Sequence, residues 1–260
     1  MPPPPSAEAE AEAAAEVEAA DLERVLRGLG TPERAAQEKA YLKSDLEFAG
    51  VAIPALRKAI TTWSNAHKQE ESAEVTALAA VLWTSQLYES RQAAVLLLER
   101  SARHLAVADL DLVEHLLRNS GTWALVDGLA ANVAGAVAER FAADPELQAT
   151  LDRWARDEDF WIRRSALLAL LRPLRRGEGD FDRFARYADA MLEEREFFIR
   201  KAIGWVLREV AKRRPELVTT WLTPRVHHAS GVTFREAIKY LPAADQEMLT
   251  VLRSRNSADG

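Results

Sequence analysis

A single carboxylate, Asp127, stands in the stretch GTWALVDGLAANVAG (residues 121–135), flanked along its helix by Leu125, Val126, Leu129 and Val133. An acid in an apolar run is either turned to solvent or held at a site for its charge. Trp123 precedes it by four residues, which puts the two side chains about 40° apart around an α-helix and on one face. Trp161 and Trp205 sit in the corresponding helices farther along the chain. An acid between aromatic walls stabilises a positively charged species while excluding water. Against this stands the ordinary use of tryptophan as core, and most of the seven are expected to pack.

Other constellations offer less. The chain has no cysteine, which removes thiol nucleophiles, disulfides and thiolate zinc sites. His67, His104, His115, His227 and His228 show no metal-ligand spacing such as H-E-x-x-H. Ser101 and His104 lack the third partner of a hydrolase triad. No strand is evident for a Gly-rich phosphate loop to follow. We therefore expect neither metal nor cofactor.

The elements that must position Asp127 read as helices throughout. Segments such as SALLALLRPLRR and RKAIGWVLREVAKRR repeat apolar residues at three and four. Pro32, Pro54, Pro145, Pro173, Pro215, Pro224 and Pro242 fall between the periodic runs. The opening residues lack the basic and apolar regions of a secretory signal, and 18 consecutive apolar residues occur nowhere. The expectation is a soluble, cytoplasmic protein. Residues 1–19, four prolines followed by alternating Ala and Glu with only Val17 to bury, are expected to be a disordered tail or a solvated helix. One domain is expected over 20–253, with a flexible end at 254–260.

Charge is unevenly spread. The formal net charge is −6, of which Glu8, Glu10, Glu12, Glu16 and Glu18 supply five, while Phe160 to Gly260 holds 19 Lys plus Arg against 13 Asp plus Glu. A face that binds a polyanion would produce this balance; so would an ordinary solvated helical surface.

Laying the helices over one another yields a repeat. Arg57, Arg91, Arg163, Arg200 and Arg235 occur in similar contexts at gaps of 34, 72, 37 and 35 residues. The long gap is two periods, and its missing member falls on Asp127. Two helices per period near 36 residues is the pattern of HEAT-like α-solenoids. Five arginines around one acid would line a concave cradle for a polyanion, or they would form ion pairs between repeats. With so short a motif the register can slip by one residue.

Longer runs carry a resemblance. EFFIRKAIGWVLREVAKRRPELV (196–218), with TWALVDGLA, FWIRRSALL, YLKSDLEFAGVAIPALRK and FREAIKYL, resembles the AlkD family of DNA alkylation repair glycosylases from about Asp21 to Leu241. The resemblance implies an all-α, right-handed α-solenoid of about six HEAT-like repeats whose basic concave face holds duplex DNA. It implies a monofunctional glycosylase that excises cationic N3- or N7-alkylated purines, such as 3-methyladenine and 7-methylguanine, without flipping the base. Matched residue by residue, it places the catalytic acid on Asp127 and the two active-site tryptophans on Trp123 and Trp205. The tyrosine near the lesion falls on Tyr41 and a DNA-facing arginine on Arg164, one residue off the repeat register at Arg163. Lys201, Arg208 and Arg235 are taken as further DNA contacts. Thr122 departs from the pattern, standing where another aromatic is expected, and the acidic tail has no counterpart.

The partner implied is double-stranded DNA with alkylated purines, bound by a monomer, with no membrane and no metal. Lys58 and Lys201 could in principle attack an abasic sugar, whereas the resemblance implies an enzyme without that second activity. A catalytically silent relative that binds unusual DNA is the alternative, and a scaffold for a protein partner is a third.

Overall fold

The computed structural model of the chain describes residues 7–67 and 72–255. Their regular structure is helical, and the extended segments contribute one isolated bridge, Glu47 to Leu87. The expected all-α class is what the chain adopts. It divides into two compact units, Met1–Leu129 and Ala130–Gly260, where one domain was expected over 20–253.

The first unit contains α1 (Ala7–Leu29), α2 (Pro32–Leu42), α3 (Ile53–Ala66), α4 (Ser72–Thr84), α5 (Tyr88–Ser101), α6 (Leu110–Arg118) and α7 (Trp123–Asp127). A π-helix, Gly128–Ala134, follows α7 directly. α5 is the axis of this unit, packing against α1, α3, α4 and α7. Its residues 93–98 are all buried, which a central helix needs and an amphipathic one would not show.

α1 takes the second of the two forms expected of the tail, a helix, and adds a docked face. The helix begins at Ala7, and Ala15, Ala19, Leu22 and Leu26 are buried against α3, α4 and α5. Their spacing of four, three and four is one helical face, and alanines build it smoothly at almost no cost in side-chain entropy. Val17, the one large apolar residue of the tail, stays 64% exposed. Glu18 accepts the indole N–H of Trp63 at 3.1 Å, fastening the acidic segment to α3. Residues 1–6 lie outside the described residues, as do residues 256–260 of the expected flexible C-terminus; α16 runs to Arg255.

The second unit contains α8 (Gly135–Arg140), α9 (Pro145–Trp154), α10 (Phe160–Leu168), α11 (Leu171–Arg175), α12 (Phe181–Met191), α13 (Phe197–Ala211), α14 (Pro215–Leu222), α15 (Gly231–Ala237) and α16 (Ala243–Arg255). α13 is its axis, in contact with α10, α11, α12, α14 and α15. Side-chain caps start these helices where the sequence signals them: Asp144, Asp159, Asp180, Glu196 and Ser230 each accept a backbone N–H from the first turn that follows.

The helix starts are regularly spaced along the chain. The residues preceding α3, α5, α7, α10, α13 and α15 are Ala52, Leu87, Thr122, Asp159, Glu196 and Ser230, spaced 35, 35, 37, 37 and 34 apart. Counted from these caps, the arginine ladder mixes two registers. Arg91, Arg163 and Arg200 lie four residues past their cap, whereas Arg57, Asp127 and Arg235 lie five past theirs. Position five, read through all six, is Arg57, Gln92, Asp127, Arg164, Lys201 and Arg235. The one-residue slip left open by gap counting is therefore real.

Candidate active site

The geometry around Asp127 begins with how α7 is entered. Arg91, on α5, donates from Nε to the carbonyl of Ser85 at 2.9 Å and from Nη1 to the carbonyl of Asn119 at 2.8 Å. One guanidinium thus ties the turn before its own helix to the turn before α7. Thr122 then extends the chain at φ −150° and starts the helix without a side-chain cap. It is 2% exposed, and its hydroxyl has no hydrogen-bond partner among the described residues. A buried hydroxyl left unpaired costs free energy, and helix starts normally avoid it.

α7 lasts five residues. Leu125 and Val126 are buried, while Trp123 and Asp127 are half-buried on the remaining face, as their i, i+4 spacing requires. Asp127 closes the α-helix; at Gly128 the backbone N–H turns to the carbonyl of Leu125 and the π-helix begins. Such wide turns occur mostly as short insertions, frequently at functional sites.

Tyr41 meets this face from α2. Its ring packs edge-on against Trp123 with centroids 5.9 Å apart and planes at 86°, while the residue stays 72% exposed. The loop after α2 is held by Glu89 of α5, itself 1% exposed, whose carboxylate accepts the N–H groups of Ala49, Gly50 and Val51 at 3.0, 2.7 and 3.1 Å. Three backbone donors on one carboxylate fix the loop that follows Tyr41's helix. The structure thus brings together Tyr41, Trp123 and Asp127, three of the residues expected at the site.

In the second unit, Lys201, Trp205 and Arg208 share one face of α13 at i, i+4 and i+7, opposite the buried Ile199, Ile203, Val206 and Val210. Lys201 is exposed, with its ammonium 5.8 Å from the Phe197 ring centre. Arg208 is engaged: it pairs with Glu236 of α15 and stands 3.5 Å from Glu209. Arg235 of α15 is exposed. Arg164 departs from the expected DNA-facing residue. It is 2% exposed, donates to the carbonyl of Phe198 at 2.5 Å and lies over that ring. A guanidinium spent on a buried carbonyl holds α10 to the start of α13 and is not presented to a phosphate.

The ladder arginines divide in the same way. Arg91, Arg163 and Arg200 each reach back to the carbonyl six residues earlier, Ser85, Asp157 and Glu194 respectively. Arg163 adds a two-pronged pair with Glu194 at 3.0 and 2.8 Å. Of the three, Arg163 forms the kind of ion pair that was the alternative for the ladder, whereas Arg91 and Arg200 are held by backbone carbonyls. Arg57 and Arg235 remain exposed. Among the tryptophans, Trp83, Trp154 and Trp221 are core, whereas Trp123, Trp161 and Trp205 are half-exposed.

Sequence reasoning missed Glu89, Gly128 and the π-helix. Glu89 had a faint signal, an acid in the first turn of an otherwise buried helix. A π-helix has no compositional one, since GLAANVA is equally an α-helical string. Among the described residues no cluster of His, Asp or Glu could hold a metal, and no helix is long and apolar enough to cross a membrane.

The sequence pattern of the family described as DNA alkylation repair enzyme matches residues 22–241. The chain belongs to that family. Its fold is also that of solved structures. A predicted DNA alkylation repair enzyme from Enterococcus faecalis is 24% identical, with a TM-score of 0.74 over 82% of this chain and 97% of that one. AlkD2 from Streptococcus mutans is 17% identical, with a TM-score of 0.62 over 88% of this chain and 100% of that one. Among curated proteins none matches.

Proposed function

We propose that this DNA alkylation repair enzyme is a monofunctional glycosylase that excises cationic N3- and N7-alkylated purines from duplex DNA. The observation that carries the reading is the pairing of Trp123 and Asp127 on the one unburied face of α7, with Tyr41 against the tryptophan. An alkylated purine of this kind already bears a positive charge, so the bond from C1′ to nitrogen breaks with its electron pair moving to the base. The base leaves neutral and needs no general acid. The deoxyribose left behind is oxocarbenium-like, and water adds at C1′ with loss of a proton.

Asp127 stabilises that cation electrostatically and orients the water, while Trp123 shields the sugar; Trp205 is the second tryptophan that the family resemblance assigns to the reaction. Because the charge on the base drives its departure, the base does not have to be flipped into a pocket, and bulky adducts are admitted. Lys201, Arg57 and Arg235 are the exposed cations suited to phosphates, and binding should weaken steeply with salt.

Asp127→Asn keeps the shape of the side chain and removes its charge. It should bind duplex with 7-methylguanine as the wild type does but release the base about 10² to 10³ times more slowly in single turnover. Release at the wild-type rate by Asp127→Asn would refute the assignment. Tight, salt-sensitive binding with no release by either protein would instead leave a binder of unusual DNA.

A further inference from the structure

Gly128 follows Asp127 at the junction of α7 and the π-helix, and its missing side chain is what lets this junction lie on α5. A Cβ built there would stand 2.6 Å from Cγ1 of Val95, with Glu99 Oε1 at 3.5 Å and Val95 Cβ at 3.9 Å. Carbon atoms in van der Waals contact sit about 3.5 to 4.0 Å apart, so a methyl at 128 would drive the two helices apart by about 1 Å. Val95 cannot yield by rotating. It is fully buried in α5, and a β-branched side chain in a helix has essentially one rotamer.

We propose that the contact of Gly128 with Val95 is the positioning device for Asp127: it sets the depth at which the carboxylate is held, and Gly128 and Val95 are positioning residues for the reaction. The inference rests on the glycosylase reading of Asp127 for its kinetic consequence and on packing alone for its structural one. α7 runs without a break into the π-helix, so the register of its last residue depends on where that change of winding is held. α7 has five residues, an uncapped start and a change of helix type at its end. What fixes it along its length is the neighbouring helix. Arg91 holds the entry, and Val95, one turn farther along α5, receives the exit. A catalytic group displaced by about 1 Å loses rate on the order of 10²-fold even when every reacting residue is present.

The test is a rescue. Gly128→Ala should lower the single-turnover release of 7-methylguanine by about 30- to 100-fold while duplex affinity changes less than about threefold. Adding Val95→Ala removes the obstructing methyl, leaving the new Cβ with neighbours at 3.5 and 3.9 Å. The double variant should then excise within about fivefold of Val95→Ala alone, an effect no general loss of stability would give. A double variant as slow as Gly128→Ala, or a Gly128→Ala enzyme at the wild-type rate beside a slow Asp127→Asn, overturns the proposal and leaves the glycosylase reading intact. If the wild type releases no base, that reading fails, and crystal structures of both variants still decide the positioning claim. The Asp127 carboxylate should shift by about 1 Å in Gly128→Ala and return in the double variant; an unmoved carboxylate in Gly128→Ala overturns it.

Discussion

The helices that carry Trp205 and Trp123 are built in opposite ways. α13, with Trp205, has fifteen residues, a side-chain cap at Glu196 and a broad buried face that makes it the axis of its unit. α7, with Trp123 and Asp127, has five residues, no side-chain cap and a π-helix for a continuation. One positions its side chains by its own regularity. The other is positioned from outside, by Arg91 and Val95 of α5. The acid thus rests on the less self-sufficient element, and its placement is a property of the packing.

Gly204, within α13, and Gly128, directly after α7, are each pressed against a neighbour, and the obstacles differ in kind. Cβ at Gly204 would meet Glu236 Cβ at 2.8 Å and the backbone of Thr233 at 3.2 Å, whereas Gly128 faces a single side-chain methyl. Gly204→Ala should therefore destabilise the protein by about 2 kcal/mol through overpacking. Unlike Gly128→Ala, it should gain nothing from Glu236→Ala, because that truncation leaves both the Cβ and the backbone in place. Urea unfolding of the single and double variants checks this, and recovery on adding Glu236→Ala would erase the distinction.

The helix starts give a smaller contrast of opposite sign. Glu196→Ala removes the hydrogen bond to the N–H of Phe198 and should cost about 1 kcal/mol. Thr122→Val, at the equivalent position, replaces an unpaired buried hydroxyl by a methyl of similar size and should stabilise by about 1 kcal/mol. Thermal unfolding of the pair reads the difference directly. A loss at Thr122→Val would mean that the hydroxyl is satisfied and that α7 is capped after all.

Acid sensitivity sharpens the comparison between the units at the scale of tenths of a kcal/mol. Burial pushes Glu23 up, but hydrogen bonds from Ser85, Arg27 and Ser90 outweigh it and hold the carboxyl below its ordinary 4.5. In the second unit burial likewise raises Glu209, and Lys212, Arg175 and Arg208 outweigh it. A carboxylate depressed in the folded state contributes stability that is complete above the unfolded pKa and is lost as the pH falls through the folded value. Stability should therefore decline below pH 4.5, and Glu23→Gln and Glu209→Gln should each flatten that decline. Adding about 0.5 M salt should diminish the effect at Glu209, whose partners are all cations, more than at Glu23, which keeps its serines. Equal salt responses in acid titrations of the two variants would remove the contrast.

What could be read from the chain follows from the range of the forces involved. Helices, caps and the near-36-residue period are local patterns, and Pro145, Asp159 and Ser230 announce them in the residue order itself. Trp123 and Asp127 share a face by simple spacing. The direction of an arginine is not local. Arg163 and Arg164 are adjacent and alike in type, yet Arg163 combines the nearby Asp157 carbonyl with Glu194 and Arg164 takes the Phe198 carbonyl, the last two partners lying about thirty residues on. The docked tail was missed for a related reason. A face made of Ala15 and Ala19 is hydrophobic by shape and spacing more than by composition, so counting large apolar residues passes over it.

The slip between the fourth and fifth positions after each cap has a consequence for how such a chain changes over generations. Position four is internal: Leu56, Val126 and Phe234 are buried there, and Arg91, Arg163 and Arg200 are pinned to carbonyls. Its neighbour, apart from Arg164, is open to solvent in part or in full and holds Arg57, Gln92, Asp127, Lys201 and Arg235. In a library of random variants the two columns would separate, the first rejecting most replacements and the second accepting them while folding is kept. Replacement at position five therefore leaves the buried faces of these helices intact, α10 with Arg164 excepted, and the acid at Asp127 makes no demand on the packed side of its own helix.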